Sequence, residues 1–367
     1  MISSHADVIG SLLRPPELLR AREDIAIGRI TQTEFRKIED RAVDRAIQLQ
    51  EEVGLQVVTD GEMRRISFQS QMTEAVDGFG EYDINAFLWG NWHGDKSLGD
   101  WHVERPATLG VVAKLRRRRH LSASEFMYLQ ARTPRTPKIT LPSLWANFWS
   151  AKHSVVAYPT LDGFLADVVD ILRDEVTELV RLGATYVQID APHYTSLLDP
   201  RTRAFYEQQG WSLDQWLSHG IEMDNAVMER FPEVTFGFHL CRGNQGSRWL
   251  VEGGYELIAK PIFQRVRAQR LLLEYDDERS GSFDPLRGVP HDKMVVLGLV
   301  TTKSPRRETR QGLTTRIHKA SRFLPLERLG LSPQCGFSSS IVGNRISMED
   351  QKYKLRLVVE TAQAVWD

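Results

Sequence analysis

Residues 161–190 read LDGFLADVVDILRDEVTELVRLGATYVQID, and this stretch decides the fold. Apolar residues recur at helical spacing from Leu161 to Leu182, and Gly183 follows as a helix-ending residue. The next residues, TYVQID, form a short apolar run that is typical of a buried strand and ends on a carboxylate. A helix that leads directly into a buried strand is the repeating unit of a parallel α/β sheet.

The same alternation of helix and strand recurs along the chain. A second helical stretch runs from Thr33 to Val53 and ends at Gly54. Short apolar runs predict eight strands, at 6–11, 55–60, 138–142, 185–190, 234–241, 270–275, 294–301 and 328–332. Eight strands alternating with helices predict an α/β protein with a (β/α)8 TIM barrel. The alternative is an open doubly wound sheet, which usually carries a glycine-rich loop that this sequence lacks after its first strand.

One segment interrupts the alternation. Residues 66–137 hold the aromatic clusters FLWGNWH at 87–93 and WH at 101–102, followed by four arginines at 116–119. The segment is too long for a plain βα loop and too aromatic for a disordered one. We therefore expect a single barrel domain over residues 1–367. Within it, 66–137 would be an insertion after the second strand, a small hairpin layer and helix that covers the site or a partner subunit.

The composition argues against several classes of function. Of the 367 residues, 41% are hydrophobic and 26% are charged, which is ordinary for a globular protein. A net charge of −1 gives no reason to expect a nucleic acid or a membrane as partner, so we expect the arginines at 116–119 to form a solvated face. The two cysteines are far apart and the N-terminus has no apolar signal region, so we expect a cytoplasmic protein. No apolar run approaches ~18 residues, so we expect no transmembrane helix.

Side chains able to do chemistry fall where the predicted strands end. They are Gly10 and Ser11, Asp60 to Glu62, Gln188 to Asp190, His239 to Cys241, Glu274, Lys303 and Cys335. In a (β/α)8 barrel the carboxyl ends of the strands form the rim that carries the active site. This coincidence predicts an enzyme.

Both cysteines are placed as metal ligands would be. His239 and Cys241 are two residues apart in the apolar run TFGFHLC, so in a strand their side chains point to the same face. Imidazole and thiolate together suit zinc. Cys335 ends another apolar run. On spacing alone, two cysteines buried in the core remain an alternative to a zinc site.

Together these pieces resemble the C-terminal catalytic half of cobalamin-independent methionine synthase, and in particular its short single-barrel members. The matching pieces are IGS at 9–11, DGEMRR at 60–65, YVQIDAP at 186–192, HLCRGN at 239–244, Glu274, KSPR at 303–306 and PQCG at 333–336. Their order and spacing extend over nearly the whole chain, apart from 66–137.

The resemblance implies a zinc-dependent methyltransferase of methionine biosynthesis, which holds a homocysteine-like thiol as thiolate for S-methylation. The zinc ligands that it implies are His239, Cys241, Glu274 and Cys335. Asp276 and Asp277 are rival carboxylates, and Glu274 is preferred because it ends its apolar run.

The resemblance also implies a clamp for an amino-acid substrate. Ile9, Gly10 and Ser11 would hold the substrate carboxylate through backbone groups and a hydroxyl. Glu62 and Asp190 would face its ammonium group. The structural alternatives are that Glu62 pairs with a neighbouring arginine and that Asp190 caps a helix.

Two positions depart from the larger synthases. Lys303 stands where they have a histidine that assists proton delivery to the folate leaving group, and we predict that Lys303 is the catalytic acid. Alternatively, Lys303 pairs with a carboxylate such as Asp276, and the acid role falls to His193. Ala191 replaces the glutamate of their Asp-Glu-Pro motif, which leaves the donor open between a folate, a methyl-corrinoid protein and an epoxide.

Two other functions stay open at this point. An epoxyalkane:coenzyme M transferase resembles the same single-barrel group and would use the zinc to activate a sulfonate thiol, with Arg242, Arg248 or Arg306 near the sulfonate. A non-enzyme alternative is a scaffold stabilised by a closed, four-ligand zinc site. The expected partners are a small-molecule thiol and a methyl or alkyl donor, and a homo-oligomer is left open.

Overall fold

The computed structural model describes residues 2–80 and 83–367. The strands of these residues are β1 (Val57–Val58), β2 (Val76–Phe79), β3 (Gly90–Trp92), β4 (Trp101–Val103), β5 (Val111–Arg117), β6 (Thr136–Pro142), β7 (Tyr186–Asp190), β8 (Thr235–Leu240), β9 (Arg270–Glu274), β10 (Met294–Val300) and β11 (Leu329–Pro333). The α-helices are α1 (Pro16–Ala26), α2 (Gln32–Glu52), α3 (Ser70–Ala75), α4 (Asn85–Leu88), α5 (Ala123–Gln130), α6 (Leu161–Arg181), α7 (Pro192–Ser196), α8 (Pro200–Gln208), α9 (Leu213–Gln215), α10 (Ile221–Met228), α11 (Glu256–Arg265), α12 (Arg310–Ala320) and α13 (Met348–Trp366).

One parallel sheet forms the centre of the protein, with strand order β1-β6-β7-β8-β9-β10-β11. Residues 5–12 run between its two edge strands. Ala6 bridges to Leu331 of β11, and the Leu12 N–H donates to the Gly61 carbonyl just beyond β1, at 3.0 Å. The sheet therefore curls into a barrel with helical segments between consecutive strands, which confirms the predicted (β/α)8 TIM barrel and excludes the open doubly wound alternative.

The predicted strand at 6–11 is only partly present. Ala6 alone makes a strand-type bridge. The carbonyls further along bond to side chains instead, because Gln188 Nε2 donates to the Ile9 carbonyl at 2.7 Å and Thr59 Oγ1 donates to the Gly10 carbonyl at 2.8 Å. The other seven strands lie within two residues of their predicted bounds.

The two helices predicted from periodicity lie within one residue of their predicted ends, as α2 and α6. Each begins at a threonine whose hydroxyl accepts a backbone N–H of the first turn, Thr31 from Glu34 and Thr160 from Gly163. The apolar face of α6 is buried in the main core, which packs around the sheet. Within the described residues, none of the helices has the length and apolar character needed to cross a membrane.

The segment 66–137 contains two small antiparallel sheets, β2–β5 and β3–β4. The β3–β4 hairpin is fastened to the loop after β8: His93 and Trp249 exchange backbone hydrogen bonds of 2.7 and 3.0 Å, and the Arg248 guanidinium donates to the carbonyls of Leu98 and Gly99. The hairpin is thereby tied to the loop that follows the His-x-Cys strand. Its treatment as an insertion within one domain stays a prediction.

The four arginines at 116–119 each pair with a carboxylate. Arg116 and Arg118 contact Asp77 at 3.2 and 2.9 Å, while the other two contact Asp174 and Glu74. Three carboxylates therefore offset most of the charge of the four arginines.

Candidate metal and substrate site

A cavity of about 320 Å³ opens at the carboxyl ends of the strands. The predicted site residues that line it are Ile9, Gly10, Ser11, Glu62, Asp190, His239, Cys241 and Cys335. Glu274 and Lys303 are not among the described residues that line it. The structure thus brings eight of the ten predicted site residues to one space.

His239, Cys241 and Cys335 form a compact buried group. Their candidate ligand atoms all lie within 4.8 Å of one another. His239 lies in β8 and Cys241 follows the last residue of that strand, so the two side chains are two residues apart, as the strand period requires for a shared face. Cys335 follows β11 by two residues. His239 Nδ1 lies 3.2 Å from the Leu272 carbonyl, while Nε2 is buried without a hydrogen-bond partner among residues 2–80 and 83–367.

These three residues fit a zinc ion. A metal-binding histidine ordinarily donates its other ring N–H to a carbonyl or carboxylate, which is the arrangement of His239 with Leu272. The unpartnered Nε2 and two sulfurs are a donor set that zinc prefers. The hydrogen bond from Cys241 lowers the pKa of the Cys335 thiol well below its usual range, and His239 adds to this effect, so one thiolate is favoured.

Glu274 lies beside this group but is not part of it. Its Oε2 accepts the Arg242 N–H at 2.7 Å, and its Oε1 lies 3.2 Å from Lys303 Nζ. Both carboxylate oxygens are therefore engaged by other groups. The rival Asp277 is engaged too, since it accepts the Arg279 N–H at 3.0 Å and pairs with its guanidinium at 2.7 Å.

Lys303 is buried together with its partner Glu274. Burial lowers the pKa of Lys303, but the charges of Glu274, Asp276 and Cys335 together outweigh it and the net shift is upward. The ammonium group is thus held protonated against a carboxylate.

Glu62 lines the cavity and keeps one carboxylate oxygen without a partner among the described residues. Its Oε1 accepts Thr140 Oγ1 at 2.7 Å, and its Oε2 is buried without a partner in the described part of the chain. The backbone of Glu62 is left-handed, with φ 54°, a conformation that costs free energy in a non-glycine residue. Gly10 makes room for this carboxylate, because a Cβ there would lie 2.6 Å from Glu62 Oε1.

Asp190 ends β7 on the same cavity. Its Oδ1 accepts Gln188 Nε2 at 2.7 Å. Burial raises the pKa of Asp190 to about 7; nearby His239 opposes this shift, and the charge of Glu62 adds to it. Burial also raises the pKa of Glu62, against the effect of Arg65. Asp60 adds to the upward shift of Glu62, so several buried carboxyl groups gather here and form a site suited to a cation.

The loop that carries Cys335 packs on the predicted carboxylate-binding residues. Ser11 Oγ accepts the Ser338 N–H at 3.3 Å, and the Ser11 carbonyl accepts the Phe337 N–H at 2.8 Å. Gly336 permits this approach, since a Cβ there would lie 2.0 Å from Ser11 Oγ.

Aromatic side chains line another part of the cavity. Phe87, Trp89 and Trp92 come from the segment 66–137, and Phe205 and Tyr206 come from α8. The aromatic cluster at 87–93 was visible in the sequence. No local sequence pattern marked Phe205 and Tyr206 as cavity residues. They belong to α8, one of the helices between β7 and β8.

His193 also lines the cavity, in the first turn after β7. Its ring lies 4.1 Å from the ring of Tyr194 and 5.3 Å from that of Trp216, measured between centroids. Burial lowers the pKa of His193 to about 3, and its Nε2 is buried without a partner among the described residues. His193 is therefore a neutral imidazole with unused hydrogen-bonding capacity.

The arginines considered for a sulfonate do not line the cavity. Arg242 donates to the carbonyls of Gly253 and Glu274, and Arg248 and Arg306 likewise donate to backbone carbonyls. Arg201 is the arginine that lines the cavity in the described part of the chain.

The fold and the site together place the chain among the TIM-barrel proteins. Its His-Cys-Cys group and two carboxylates at the barrel rim form a candidate metal-assisted active site. More particularly, the chain belongs to the family described as cobalamin-independent synthase, catalytic domain, whose model matches residues 5–364. The predicted resemblance is thereby confirmed. Membership of this family supports a methyltransferase function.

Individual relatives agree with the family assignment. YxjH of Bacillus subtilis strain 168, an uncharacterized protein, is 33% identical over 375 residues, covering 98% of this chain and 94% of YxjH. The methionine synthase of Pyrococcus abyssi is 26% identical over 332 residues, covering 90% of this chain and 85% of that protein. The crystal structure of a putative vitamin-B12 independent methionine synthase from Listeria monocytogenes matches with a TM-score of 0.73 and 25% identity, covering 100% of this chain and 99% of the other.

Proposed function

We propose that this protein is a thiol S-methyltransferase of the methionine synthase type, with a homocysteine-like amino-acid thiol as its substrate. The single observation that carries the proposal is the position of the buried His239, Cys241 and Cys335 group in the same cavity as the unpaired carboxylate oxygen of Glu62. One part of the cavity suits a sulfur-binding metal, and a neighbouring part suits an ammonium group.

His239, Cys241 and Cys335 would hold the zinc. When bound there, zinc would keep the substrate sulfur as a nucleophilic thiolate at neutral pH. Catalytic zinc sites have three protein ligands and a position for substrate, whereas structural sites have four protein ligands. The three-residue group therefore supports an enzyme over a closed scaffold. Glu274 stays the proposed fourth ligand of the thiol-free protein, and it would have to give up its contact with Lys303 to serve as one.

Glu62 and Asp190 would bind the substrate ammonium. The unpartnered Oε2 of Glu62 supplies an acceptor, and a cation beside the two carboxylates would stabilise their charged forms, which burial disfavours. The backbone of Ile9 to Ser11, with the Ser11 hydroxyl, would bind the substrate carboxylate.

For Lys303 the buried pair with Glu274 favours the pairing alternative over the acid role. We therefore propose that Lys303 is a structural partner of Glu274, whose buried charge it neutralises beside the metal group. His193 lines the cavity and would contact the methyl donor. Because its pKa is about 3, it would do so as a neutral hydrogen-bonding group and not as an acid.

The test is an activity screen of the zinc-loaded protein. Homocysteine and coenzyme M would each be offered methyl-tetrahydrofolate, methylcobalamin and a small epoxide. Methionine formation with one of the two methyl donors is the expected result. Faster consumption of coenzyme M with the epoxide would replace the proposal by the coenzyme M alternative.

Metal content is tested on the same preparations. Wild type should contain about one zinc per chain, and Cys335→Ala should bind it much more weakly because a thiolate ligand is lost. Unchanged zinc affinity in Cys335→Ala would remove Cys335 from the proposed ligands.

A further inference from the structure

We propose that Glu125 of helix α5 is a positioning residue, which keeps Glu62 available to the substrate ammonium by occupying the guanidinium of Arg65. The inference rests on the proposed function, because it takes Glu62 as a ligand of the ammonium group. It gives the segment 66–137, in which Glu125 lies, a part in substrate recognition.

Arg65 is buried, and its donors are already used. Its Nη2 and Nε lie 2.7 and 3.1 Å from Glu125 Oε2, which is a strong charge-assisted arrangement. Its Nη1 donates to Thr140 Oγ1 at 2.8 Å, and Nη2 also reaches the Thr140 carbonyl at 3.0 Å. The nearest oxygen of Glu62 lies 3.6 Å from Nη1, beyond hydrogen-bond distance.

Glu62 would otherwise be the natural partner of Arg65. The two side chains are buried three positions apart in sequence, yet Glu62 takes one hydrogen bond from Thr140 and keeps Oε2 free. A buried carboxylate next to a guanidinium ordinarily forms a bidentate pair with it. Here Glu125 holds that guanidinium, and Glu62 stays on the cavity.

No other neighbouring charged group pairs with the free oxygen of Glu62 in the described part of the chain. Arg14 directs its guanidinium to the backbone carbonyls of Arg65, Glu62 and Ser338, at 2.7, 3.0 and 2.7 Å. Asp60 accepts the Glu62 N–H at 2.9 Å and keeps its other oxygen unpartnered within the described residues. Two guanidinium groups thus face three carboxylates, and the excess negative charge is the charge that an ammonium group would neutralise.

Loss of the Glu125 charge should therefore redirect Arg65. In Glu125→Gln the guanidinium would pair with Glu62, and the substrate ammonium would have to compete with it. A charge-assisted hydrogen bond contributes enough for a loss of about tenfold or more in affinity. A thiol that lacks the ammonium group should not be affected.

The experiment measures, by calorimetry, the binding of L-homocysteine and of 4-mercaptobutyrate to the zinc-loaded full chain. The second thiol is homocysteine without its amine and keeps the carboxylate. It is done at about pH 8, because burial raises the pKa of Glu125 to about 7 and the carboxylate must be ionised. We expect Glu125→Gln to weaken homocysteine by about tenfold or more, and 4-mercaptobutyrate by less than about twofold, with unchanged zinc content.

Three further variants separate positioning from a structural role. Glu175→Gln is the matched control: Glu175 is buried and accepts the backbone N–H groups of Leu121 and Ser122 next to α5, but it does not touch Arg65. Adding Arg65→Gln to Glu125→Gln should restore the preference for homocysteine, because the competing cation is gone. Glu125→Asp, which keeps the charge and is gentler on folding, should show the selective loss in smaller degree.

Equal losses for both thiols in Glu125→Gln and Glu125→Asp, or no loss for either, would overturn the inference. Failure of the double variant to recover would overturn it as well. If wild type does not prefer homocysteine to 4-mercaptobutyrate, the Glu62 assignment itself is wrong, and that result contradicts the proposed function together with the inference.

Discussion

At the scale of single residues, the carboxylate of Glu62 depends on the missing side chain of Gly10. A Cβ at Gly10 would meet Glu62 Oε1 at 2.6 Å and Thr140 Cγ2 at 3.2 Å, so the group that must move is the carboxylate that we assign to the ammonium. We therefore expect that the lack of a side chain at Gly10 serves chiefly to leave room for the Glu62 carboxylate.

We expect Gly10→Ala to weaken homocysteine binding by about tenfold or more while zinc content stays unchanged, because it displaces Glu62 but not the metal group. Titration calorimetry with zinc-loaded protein measures this effect. Gly288→Ala is the control, since a Cβ there meets nothing within 4 Å. Wild-type affinity in Gly10→Ala would show that Glu62 does not contact the substrate.

Lys303→Met removes the ammonium that pairs with the buried Glu274 at 3.2 Å and leaves only the more distant guanidinium of Arg279, at 3.9 Å, as a cation beside that carboxylate. We expect the free energy of unfolding to fall by about 3 kcal/mol, since breaking a buried pair from one side is costly. Turnover per folded molecule should stay close to wild type. Denaturant unfolding and steady-state kinetics on the folded fraction measure the two quantities. A loss of turnover by about 10²–10⁴ with unchanged stability would instead restore the acid role.

At the scale of secondary structure elements, the positions of the strand ends were predictable from the sequence. The contacts that the side chains at those ends make with one another were not. The runs that became β7 to β11 are apolar, short and followed by helices, so their carboxyl ends could be placed within two residues. The convergence of His239 and Cys241 then follows from the strand period. The engagement of Glu274 by Lys303 and the Arg242 N–H depends on distances between three strand ends, which no local pattern encodes.

Helix α10 carries a buried carboxyl group, Asp224, that links it to the barrel rim. Its Oδ1 accepts Ser143 Oγ at 2.5 Å and its Oδ2 accepts Tyr194 OH at 2.7 Å. Burial raises the pKa of Asp224 from 3.8 to about 7, against the effect of these two hydrogen bonds. Between these two values only the folded protein binds the proton, so rising pH favours the unfolded state.

We therefore expect the stabilising effect of the protonated Asp224 to be fully present below about pH 4 and lost as the pH rises to about 7, by at most about 1.4 kcal/mol per pH unit. Asp224→Asn should lack this component of the pH dependence. Urea unfolding at several pH values compares the two proteins, with the exposed Asp284→Asn as control. Parallel curves for wild type and Asp224→Asn would contradict the assignment.

At the scale of the whole molecule, the barrel could be predicted because eight similar units repeat along the sequence. Its closure could not be predicted in detail. Residues 6–11 form an irregular edge, because the side chains of Thr59 and Gln188 donate hydrogen bonds to the carbonyls of Gly10 and Ile9. These donors lie 49 and 179 residues away in sequence from the residues that accept the bonds. The Arg65–Glu125 pair was missed for a similar reason, since it joins residues that are 60 positions apart.

The central claim is that the His239, Cys241 and Cys335 group holds a zinc ion that accepts the sulfur of the substrate. X-ray absorption at the zinc edge, recorded before and after addition of homocysteine, tests it most directly. We expect one more sulfur neighbour around zinc after the addition, together with release of a proton. An unchanged sulfur count with homocysteine and with every other thiol would contradict it and would indicate a closed structural site.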